Sequence, residues 1–564
     1  MKKNYINLLK LYFNKYKIDG YIIPKNDEFF SEYDPHKRLF KISNFTGSAG
    51  LAIITKEKNY LFVDGRYILQ AKKESGRNFR VIDITKTLPK KIFMRTTFGV
   101  DPKIITSNNL KKLFHKKTFI KTISLNLIDT IIPNKTHQKK QFFKLDDKTV
   151  GEKRSIKLNK IVKYLKLKRV DYLLISAPEN VAWVFNIRGY DNPNSPIPNC
   201  YLLVCRNRNV FLITDISKTK RIVKDKVINR NQLVEFNEIE NFLKTIKPGK
   251  IVIDYKTCSL FVENLLEKKF KISSHNDPVY DLKSVKNKTE INHMLKAHHD
   301  DGLALTRFIY WIKNNKNKIS EITAQQKLEK YKKISKNYLF PSFDTIAGTG
   351  PNGAIIHYRA NKKNCRIIKK KDIFLCDSGG QYKYGTTDVT RTICFKKPDK
   401  KIKDIFTRVL KGHIAVYLSD LNKKKTGRKI DFEARKFLKQ KNLNYAHGTG
   451  HGVGFFSNVH EGPQSISKYN DVKLKEGMIL SNEPGFYQEN KFGIRIENLI
   501  YIRKTNKKIE FRNLTFAPID NDLVNYDMLN KKEKNYLFKY HLEIYSKFSK
   551  SLNNKERNWL ANLI

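Results

Sequence analysis

The feature that most restricts the fold is an alternation of apolar, strand-like segments with amphipathic helical segments, and the first half of the chain contains it twice. The first occurrence of this pattern has strand-like segments at 21–24, 50–54 and 60–63. The second follows a helical segment at 151–167 and has them at 172–176, 200–205, 210–214 and 250–254. Such alternation is typical of α/β domains. The sequence therefore predicts two α/β domains of similar size and an internal duplication.

Breaks in this pattern divide the chain further, because 564 residues exceed what one hydrophobic core supports. A lysine-rich stretch at 138–153 and a second break at 278–286 separate the α/β domains from each other and from a third domain. That domain opens with a long amphipathic helix at 289–313 and a further helix from about residue 320, and beyond residue 502 one good helix is predicted at 531–546. The predicted regions are 1–145, 146–285, 286–502 and 503–564.

The formal charge of +57 at pH 7 suggests a polyanionic partner, such as nucleic acid or an anionic membrane surface. Lysine, however, is spread along the whole chain, whereas a binding site would concentrate the charge on one face. The 40% content of hydrophobic residues excludes a disordered protein. We therefore expect packed domains, a general bias of composition toward lysine, and no specific nucleic-acid partner.

Cysteine usage and the N-terminal segment indicate the compartment. The six cysteines contain no CxxC pair, which favours reduced, mostly buried thiols over a disulfide scaffold. After the basic Met1-Lys2-Lys3, polar residues such as Asn7 and Lys10 interrupt the apolar segment that a signal peptide needs. No segment approaches the roughly 20 apolar residues of a membrane span. We expect a cytoplasmic protein without a membrane partner.

Two aspartates mark the first chemical motif. An apolar segment ends in Asp377-Ser378-Gly379-Gly380, and an alternating segment that contains Asp388 begins ten residues after Asp377. If the two segments pair as a hairpin, Asp377 and Asp388 can face each other across it. Two carboxylates this close repel unless a cation lies between them. Taken alone, the Asp-Ser-Gly sequence is equally typical of a turn.

Histidines within glycine-rich chain form the second motif, at 447–454 and 458–463. His447 and His451 are four residues apart, as in a zinc-binding helix, but the surrounding glycines disfavour a helix. Glycine instead lets an extended or looped backbone approach a metal or substrate closely. Together with His460, these histidines indicate a functional site.

Two glutamates form the third motif. Glu483 precedes Pro-Gly, and alternation in the segment 493–498 puts Ile494 and Ile496 on one face and Arg495 and Glu497 on the other. Singly, Glu483 could mark a strand end and Glu497 a salt bridge with Arg495.

The three motifs together supply four carboxylates and one imidazole as metal ligands, namely Asp377, Asp388, His451, Glu483 and Glu497. Hard oxygen ligands with one histidine suit Mn²⁺, and suit Co²⁺ or Zn²⁺ less selectively. One ion does not need four carboxylates, whereas two ions about 3.5–4 Å apart, bridged by two of them, do. The motifs therefore predict a hydrolase with two divalent metal ions.

These motifs resemble the pita-bread metallopeptidases, the family of methionine aminopeptidase, prolidase, creatinase and aminopeptidase P. The long, three-domain aminopeptidase P is the most similar form. The segments that carry this resemblance are 340–343, 348–358 and 385–392 in the third domain, 45–50 and 64–67 in the first, Trp183 and 186–189 in the second, and 514–520 in the tail. The resemblance implies two creatinase-like N-terminal α/β domains followed by a pita-bread catalytic domain of α+β type.

The resemblance also assigns the metal ligands. It implies that Asp388 and Glu497 bridge the two ions, that Asp377 completes one site, and that His451 with Glu483 completes the other. Glu483 would also handle the proton of the water shared by the ions.

Further residues have roles that the same resemblance implies. His357, His447 and His460 match histidines that bind the substrate and its proline and stabilise the tetrahedral intermediate, whereas Arg495 and Tyr487 match positions behind the direct ligands. Phe486 departs from the pattern, since many relatives carry Tyr there. The long form is usually a homodimer, with its C-terminal region, here 503–564, contributing to the contact.

The implied reaction is removal of the N-terminal residue from Xaa-Pro peptides by attack of a metal-bridged hydroxide. A pocket that fits pyrrolidine selects proline, and the Xaa-Pro bond has no amide N–H to satisfy. Two alternatives remain open. One is a prolidase, which cleaves only dipeptides, and the other is a non-catalytic pita-bread protein that binds histones or nucleic acid.

Overall fold

The computed structural model describes residues 5–134, 140–506 and 508–564, which form two compact units, Met1–Tyr280 and Asp281–Ile564. The basic start Met1-Lys2-Lys3 and residues 138 and 139 of the predicted linker lie outside the described residues. Among the described helices, none combines the length and the apolar character needed to cross a membrane.

The first unit contains two α/β sheets. Its helices are α1 (Tyr5–Tyr16), α2 (Arg38–Ser43), α3 (Ile68–Ser75), α4 (Ser107–Leu113), α5 (Leu127–Ile131), α6 (Asp147–Val150), α7 (Arg154–Lys168), α8 (Pro178–Phe185), α9 (Lys220–Lys224), α10 (Ile239–Thr245) and α11 (Leu260–Glu267). Its strands are β1 (Gly20–Pro24), β2 (Leu51–Thr55), β3 (Asn59–Val63), β4 (Arg80–Asp83), β5 (Thr97–Val100), β6 (Phe119–Thr122), β7 (Phe143–Lys144), β8 (Tyr172–Ile175), β9 (Ile187–Arg188), β10 (Cys200–Cys205), β11 (Val210–Thr214), β12 (Leu233–Val234), β13 (Lys250–Asp254) and β14 (Lys271–His275).

The two six-stranded sheets of this unit have the same topology. The strand order is β4-β3-β2-β1-β5-β6 in one and β12-β11-β10-β8-β13-β14 in the other. In both sheets only the third strand of this order runs antiparallel to its neighbours. This equality of order and direction supports the predicted internal duplication.

Burial on both faces explains why the central strands are continuous apolar runs. Tyr21 and Ile23 of β1 join one hydrophobic cluster, which includes Leu9 and Phe13 of α1, whereas Ile22 joins the cluster on the opposite face. Every residue of β10 is likewise buried.

The second unit carries the predicted ligands. Its helices are α12 (Pro278–Ser284), which begins in the last residues of the first unit, α13 (Lys288–Asn314), α14 (Glu321–Lys332), α15 (Lys400–Tyr417), α16 (Gly427–Lys439), α17 (Lys531–Phe548) and α18 (Asn554–Ala561). Its strands are β15 (Tyr338–Phe340), β16 (Ile346–Thr349), β17 (Ile373–Ser378), β18 (Gln381–Tyr382), β19 (Gly385–Thr386), β20 (Val389–Cys394), β21 (Gly450–Gly452), β22 (Glu461–Ile466), β23 (Ile479–Asn482), β24 (Gly485–Gln488), β25 (Phe492–Arg495), β26 (Asn498–Thr505) and β27 (Lys508–Asn513).

Two sheets of the second unit position the site. One has the order β16-β17-β20 and the other β22-β21-β23-β26-β27, while β24 and β25 form a separate hairpin. Ile494 and Ile496 are buried in the adjoining hydrophobic core, as the alternation predicted. The glycine-rich segment around His451 forms a short strand, β21, which confirms that it is not helical.

The structure differs from the sequence prediction in the C-terminal region. One helix was predicted there, but α18 follows α17. The helix α18 was missed because it is short and buries only Glu556 and Leu560, so it has little amphipathic signal; its start is stabilised by a capping box between Asn553 and Glu556.

The domain bounds at 145, 285 and 502 stay a prediction. Near the first bound, β7 pairs with β9, so that Phe143 and Lys144 already contact the second α/β region. Near the last, β26 continues to Thr505 and pairs with β27.

Candidate metal centre

Strand pairing brings the two predicted aspartates to the same face of one sheet. Asp377 lies in β17 opposite Thr390 of β20, and Asp388 lies two residues before Thr390. Because alternate residues of a strand share a face, Asp388 is the diagonal neighbour of Asp377. The simple hairpin considered from the sequence would instead place the two side chains directly opposite each other. The chain between the two strands forms a small hairpin of β18 and β19.

The other three predicted ligands converge on this face. Nε2 of His451, in β21, lies 3.4 Å from Oδ2 of Asp388 and 3.6 Å from Oε1 of Glu483, which follows β23. Ligand atoms of Asp388, His451 and Glu497 lie within 4.8 Å of one another. Five side chains that are up to 120 residues apart in sequence therefore form one cluster.

This cluster has the chemistry of a cation site. Burial, followed by the neighbouring carboxylates Asp388, Glu483 and Asp377, raises the pKa of Glu497 well above its ordinary value. Burial likewise raises the pKa of Asp377 to about 7, although Arg495 acts in the opposite direction. Oδ1 of Asp377 is also buried without a hydrogen-bond partner. Divalent ions would neutralise these mutually repelling carboxylates and give that oxygen a partner, so the residues present fit a metal centre.

Hydrogen bonds orient the ligands. Nδ1 of His451 faces the carbonyl of Gly452 at 2.9 Å, which leaves Nε2 as the atom that can bind an ion. Although burial opposes it, Asp388 and Glu483 raise the pKa of His451 to about 9, and an ion would take the place of that proton. The hydroxyl of Ser481 accepts from the backbone N–H of His451 at 2.9 Å and donates to Oε1 of Glu483 at 3.0 Å.

Thr390 holds a second ligand, because its hydroxyl donates to Oε2 of Glu497 at 2.7 Å. Neither Thr390 nor Ser481 was among the predicted site residues. Thr390 lies in the segment 385–392, and its place in the alternating strand, on the face of Asp388, could have identified it. Ser481 had no comparable signal.

A hydrogen-bonded chain connects Asp377 with His447. Nη2 of Arg495 donates to Oδ2 of Asp377 at 2.6 Å, and Nη1 donates to the hydroxyl of Tyr487 at 2.7 Å. Tyr487 in turn contacts Nε2 of His447 at 2.9 Å. Since Nδ1 of His447 faces the carbonyl of Gly448 at 2.8 Å, the ring donates there and accepts from Tyr487. Burial lowers the pKa of His447 to about 4, so this ring is neutral at pH 7.

The remaining predicted residues surround the cluster. His460 is exposed, and its ring centroid lies 4.2 Å from that of His451. His357 is half-buried in the loop between β16 and β17, whose pairing puts Ile346 opposite Asp377. Phe486, the departure from the family pattern, packs with Phe492 against the hydrophobic core.

Comparison with known proteins adds family information to this geometry. Residues 292–504 match the model of metallopeptidase family M24, and 507–563 match the C-terminal region of that family. Residues 6–129 and 133–290 each match a creatinase/prolidase N-terminal domain model.

Individual proteins resemble the chain over most of its length. A probable Xaa-Pro aminopeptidase P of Laccaria bicolor is 36% identical, in a match that covers 97% of this chain and 90% of that protein. The crystal structure of an X-prolyl aminopeptidase from Caenorhabditis elegans, described as a cytosolic enzyme with a di-nuclear active site, has a TM-score of 0.90 at 27% identity and covers 99% of this chain and 98% of its own. The prolidase from Pyrococcus furiosus is also 27% identical, but with a TM-score of 0.51 it covers 63% of this chain and 98% of its own. These matches confirm the predicted fold, two creatinase-like domains followed by a pita-bread catalytic domain.

Proposed function

The chain belongs to metallopeptidase family M24, and we propose that it acts as an Xaa-Pro aminopeptidase, removing the N-terminal residue from peptides whose second residue is proline. The observation that carries this proposal is the cluster of Asp388, His451 and Glu497, with ligand atoms within 4.8 Å of one another. The predicted resemblance to aminopeptidase P and the assignment as a hydrolase are confirmed.

Two divalent ions fit the four carboxylates and the imidazole. In this proposal all five residues would hold the ions: Asp388 and Glu497 would be shared between them, Asp377 would belong to one site, and His451 with Glu483 would belong to the other. Mn²⁺ is the proposed ion because oxygen ligands predominate, with Co²⁺ and Zn²⁺ as alternatives. When bound, such ions supply a water that is deprotonated near neutral pH and polarise the scissile carbonyl.

The chain's own residues perform the proton transfer and the positioning. Although burial opposes it, the neighbouring His451 lowers the pKa of Glu483, whose carboxylate is the proposed proton acceptor. Arg495 holds Asp377 through its charged hydrogen bond and, through Tyr487, keeps the ring of His447 in one orientation.

His357, His447 and His460 are the proposed substrate-binding residues. His447 and His460 lie at the metal cluster itself: Nδ1 of His447 is 3.9 Å from Oε2 of Glu483, and the ring of His460 packs beside that of His451. Because His447 is neutral at pH 7, it adds no charge to the site. The proline requirement follows from a pocket for pyrrolidine and from the missing amide N–H of the Xaa-Pro bond.

The assembly and compartment are finer parts of the proposal. We expect a homodimer in which the C-terminal region 503–564 contributes to the contact, supported by Phe538 and Leu542, which are 46% and 44% exposed one turn apart on α17. We expect a cytoplasmic location, supported by the C. elegans enzyme, which is described as cytosolic.

The test compares initial rates on matched di-, tri- and pentapeptides at saturating Mn²⁺. An Arg-Pro-Pro tripeptide should be cleaved after its first residue, and alanine in place of the second-position proline should lower kcat/KM at least about tenfold. His460→Ala should lower kcat more than it lowers metal content, because His460 is expected to act on the substrate. Activity confined to dipeptides would instead identify a prolidase.

A further inference from the structure

One carboxylate in the catalytic unit is fully buried outside the metal cluster. Glu321, the first residue of α14, has 0% of its surface exposed. Burial raises the pKa of this carboxyl, and the hydrogen bonds that it accepts act in the opposite direction. A buried carboxylate is costly unless donors satisfy its oxygens, so its partners reveal what it holds in place.

These donors come from the last residue of β16 and from the loop that follows it. The backbone N–H groups of Thr349 and Arg366 donate to Glu321, each at 2.8 Å. The side-chain amide of Asn352 donates to both oxygens, at 3.1 and 3.0 Å, and the hydroxyl of Tyr358 donates to Oε2 at 2.8 Å. The bonds reach the start of this segment, its middle, and Arg366 in its second half.

The same loop carries His357, directly before Tyr358. The turn around it is closed by the bond from the backbone N–H of Tyr358 to the carbonyl of Ile355, at 3.0 Å. On another side the loop touches β25, since a Cβ atom added at Gly493 would lie 1.8 Å from the carbonyl oxygen of Gly353. The loop is thus clamped between Glu321 and the strand that leads to Arg495.

We propose that Glu321 is a positioning residue for substrate binding, which holds the loop 349–366 so that His357 meets the peptide. This inference rests on the proposed function, because it assigns His357 to the substrate. The charge of Glu321 is required, since glutamine would offer one acceptor oxygen to the four donor groups and turn an NH₂ group toward the others. The loop carries none of the five proposed metal ligands, so its displacement should impair catalysis without releasing metal.

The experiment is a double-mutant cycle on a cleaved Xaa-Pro tripeptide, with Glu321→Gln, His357→Ala and the double variant. A displaced catalytic loop should lower kcat/KM about 10- to 100-fold in Glu321→Gln, with unchanged metal content by elemental analysis. If Glu321 acts through His357, the double variant should lose no more than the more impaired single variant. Losses that multiply, or a normal kcat/KM in Glu321→Gln, would overturn the inference.

Two controls complete the design. Glu533→Gln removes another buried carboxylate from the first turn of a helix, α17, and should keep kcat/KM within about twofold of the parent. If Glu321→Gln does not fold, Tyr358→Phe serves instead, because it removes one donor and leaves the carboxylate. This variant should lose less kcat/KM than Glu321→Gln, and it should cause no further loss when His357 is already alanine. A further loss in that background would contradict the inference.

Hydrogen exchange separates this inference from the proposed function. The amides of Thr349 and Arg366 should exchange faster in Glu321→Gln, whereas those of β23 should not, whether or not the protein hydrolyses peptides. Unchanged exchange in the loop would refute the anchoring role. An inactive parent protein would refute the proposed function alone.

Discussion

Glu461 is predicted to be one of the costliest charged residues to neutralise in the catalytic unit. Its carboxylate is 2.8 Å from Nζ of Lys283, and Lys286 pairs with its other oxygen. These three side chains are only 3%, 3% and 1% exposed, respectively. Glu461 also follows the proposed substrate residue His460 and lies opposite Gly452 at the start of β22.

Glu461→Gln keeps the shape of the side chain but removes the carboxylate that pairs with two buried ammonium groups. Loss of one partner from a buried ion pair costs about 3–5 kcal/mol. For a folding unit of this size, 1 kcal/mol corresponds to about 2–4 °C, so the melting temperature should fall by roughly 10 °C. The control is Glu543→Gln, whose pair with Lys547 is 47% and 32% exposed and should contribute below about 1 kcal/mol.

Differential scanning calorimetry of the parent, Glu461→Gln and Glu543→Gln at one pH measures the change in melting temperature. A triple variant, Lys283→Met with Glu461→Leu and Lys286→Met, should recover most of the lost stability, because apolar side chains of similar volume need no counter-charge. A Glu461→Gln variant that melts within about 2 °C of the parent protein would show that the buried ion pairs of Glu461 contribute little stability.

Three further predictions concern metal, pH and charge. Glu497→Ala should lower the metal content and abolish hydrolysis, as elemental analysis and peptide assays would show; near-normal turnover would refute the two-metal assignment. Burial lowers the pKa of His541 from 6.5 to about 4, so its contribution of about 3 kcal/mol should be present above pH 6.5 and lost as the pH falls toward 4. Denaturant titrations at several pH values should therefore show that the free energy of unfolding falls more steeply with decreasing pH in the parent than in His541→Gln. Equal slopes in the two proteins would contradict this prediction. Duplex DNA should not change peptide hydrolysis, and its binding should be weak and fall steeply with salt; nanomolar, sequence-selective binding at physiological salt would favour the histone- or nucleic-acid-binding alternative.

Motifs predicted most of the candidate site because its proposed ligands are hard, charged side chains in unusual local sequence. Asp377, at the end of an apolar strand, and the histidines among glycines at 447–460 stand out without any structure. Residues that act through ordinary hydrogen bonds do not stand out in this way. Ser481, which connects His451 with Glu483, and Glu321, which anchors the loop of His357, have no distinctive local pattern.

The sequence by itself determined the strand segments, the two similar α/β regions and the residue types of the metal centre, because apolar periodicity and ligand chemistry are local properties. Tertiary structure alone decided that Asp388 is diagonal to Asp377, that Arg495 reaches Asp377 and Tyr487, and that Glu321 binds both Thr349 and Arg366. Those contacts depend on strand register and on helix packing. Both are set by burial of apolar surface over the whole unit, so no short segment of sequence contains them.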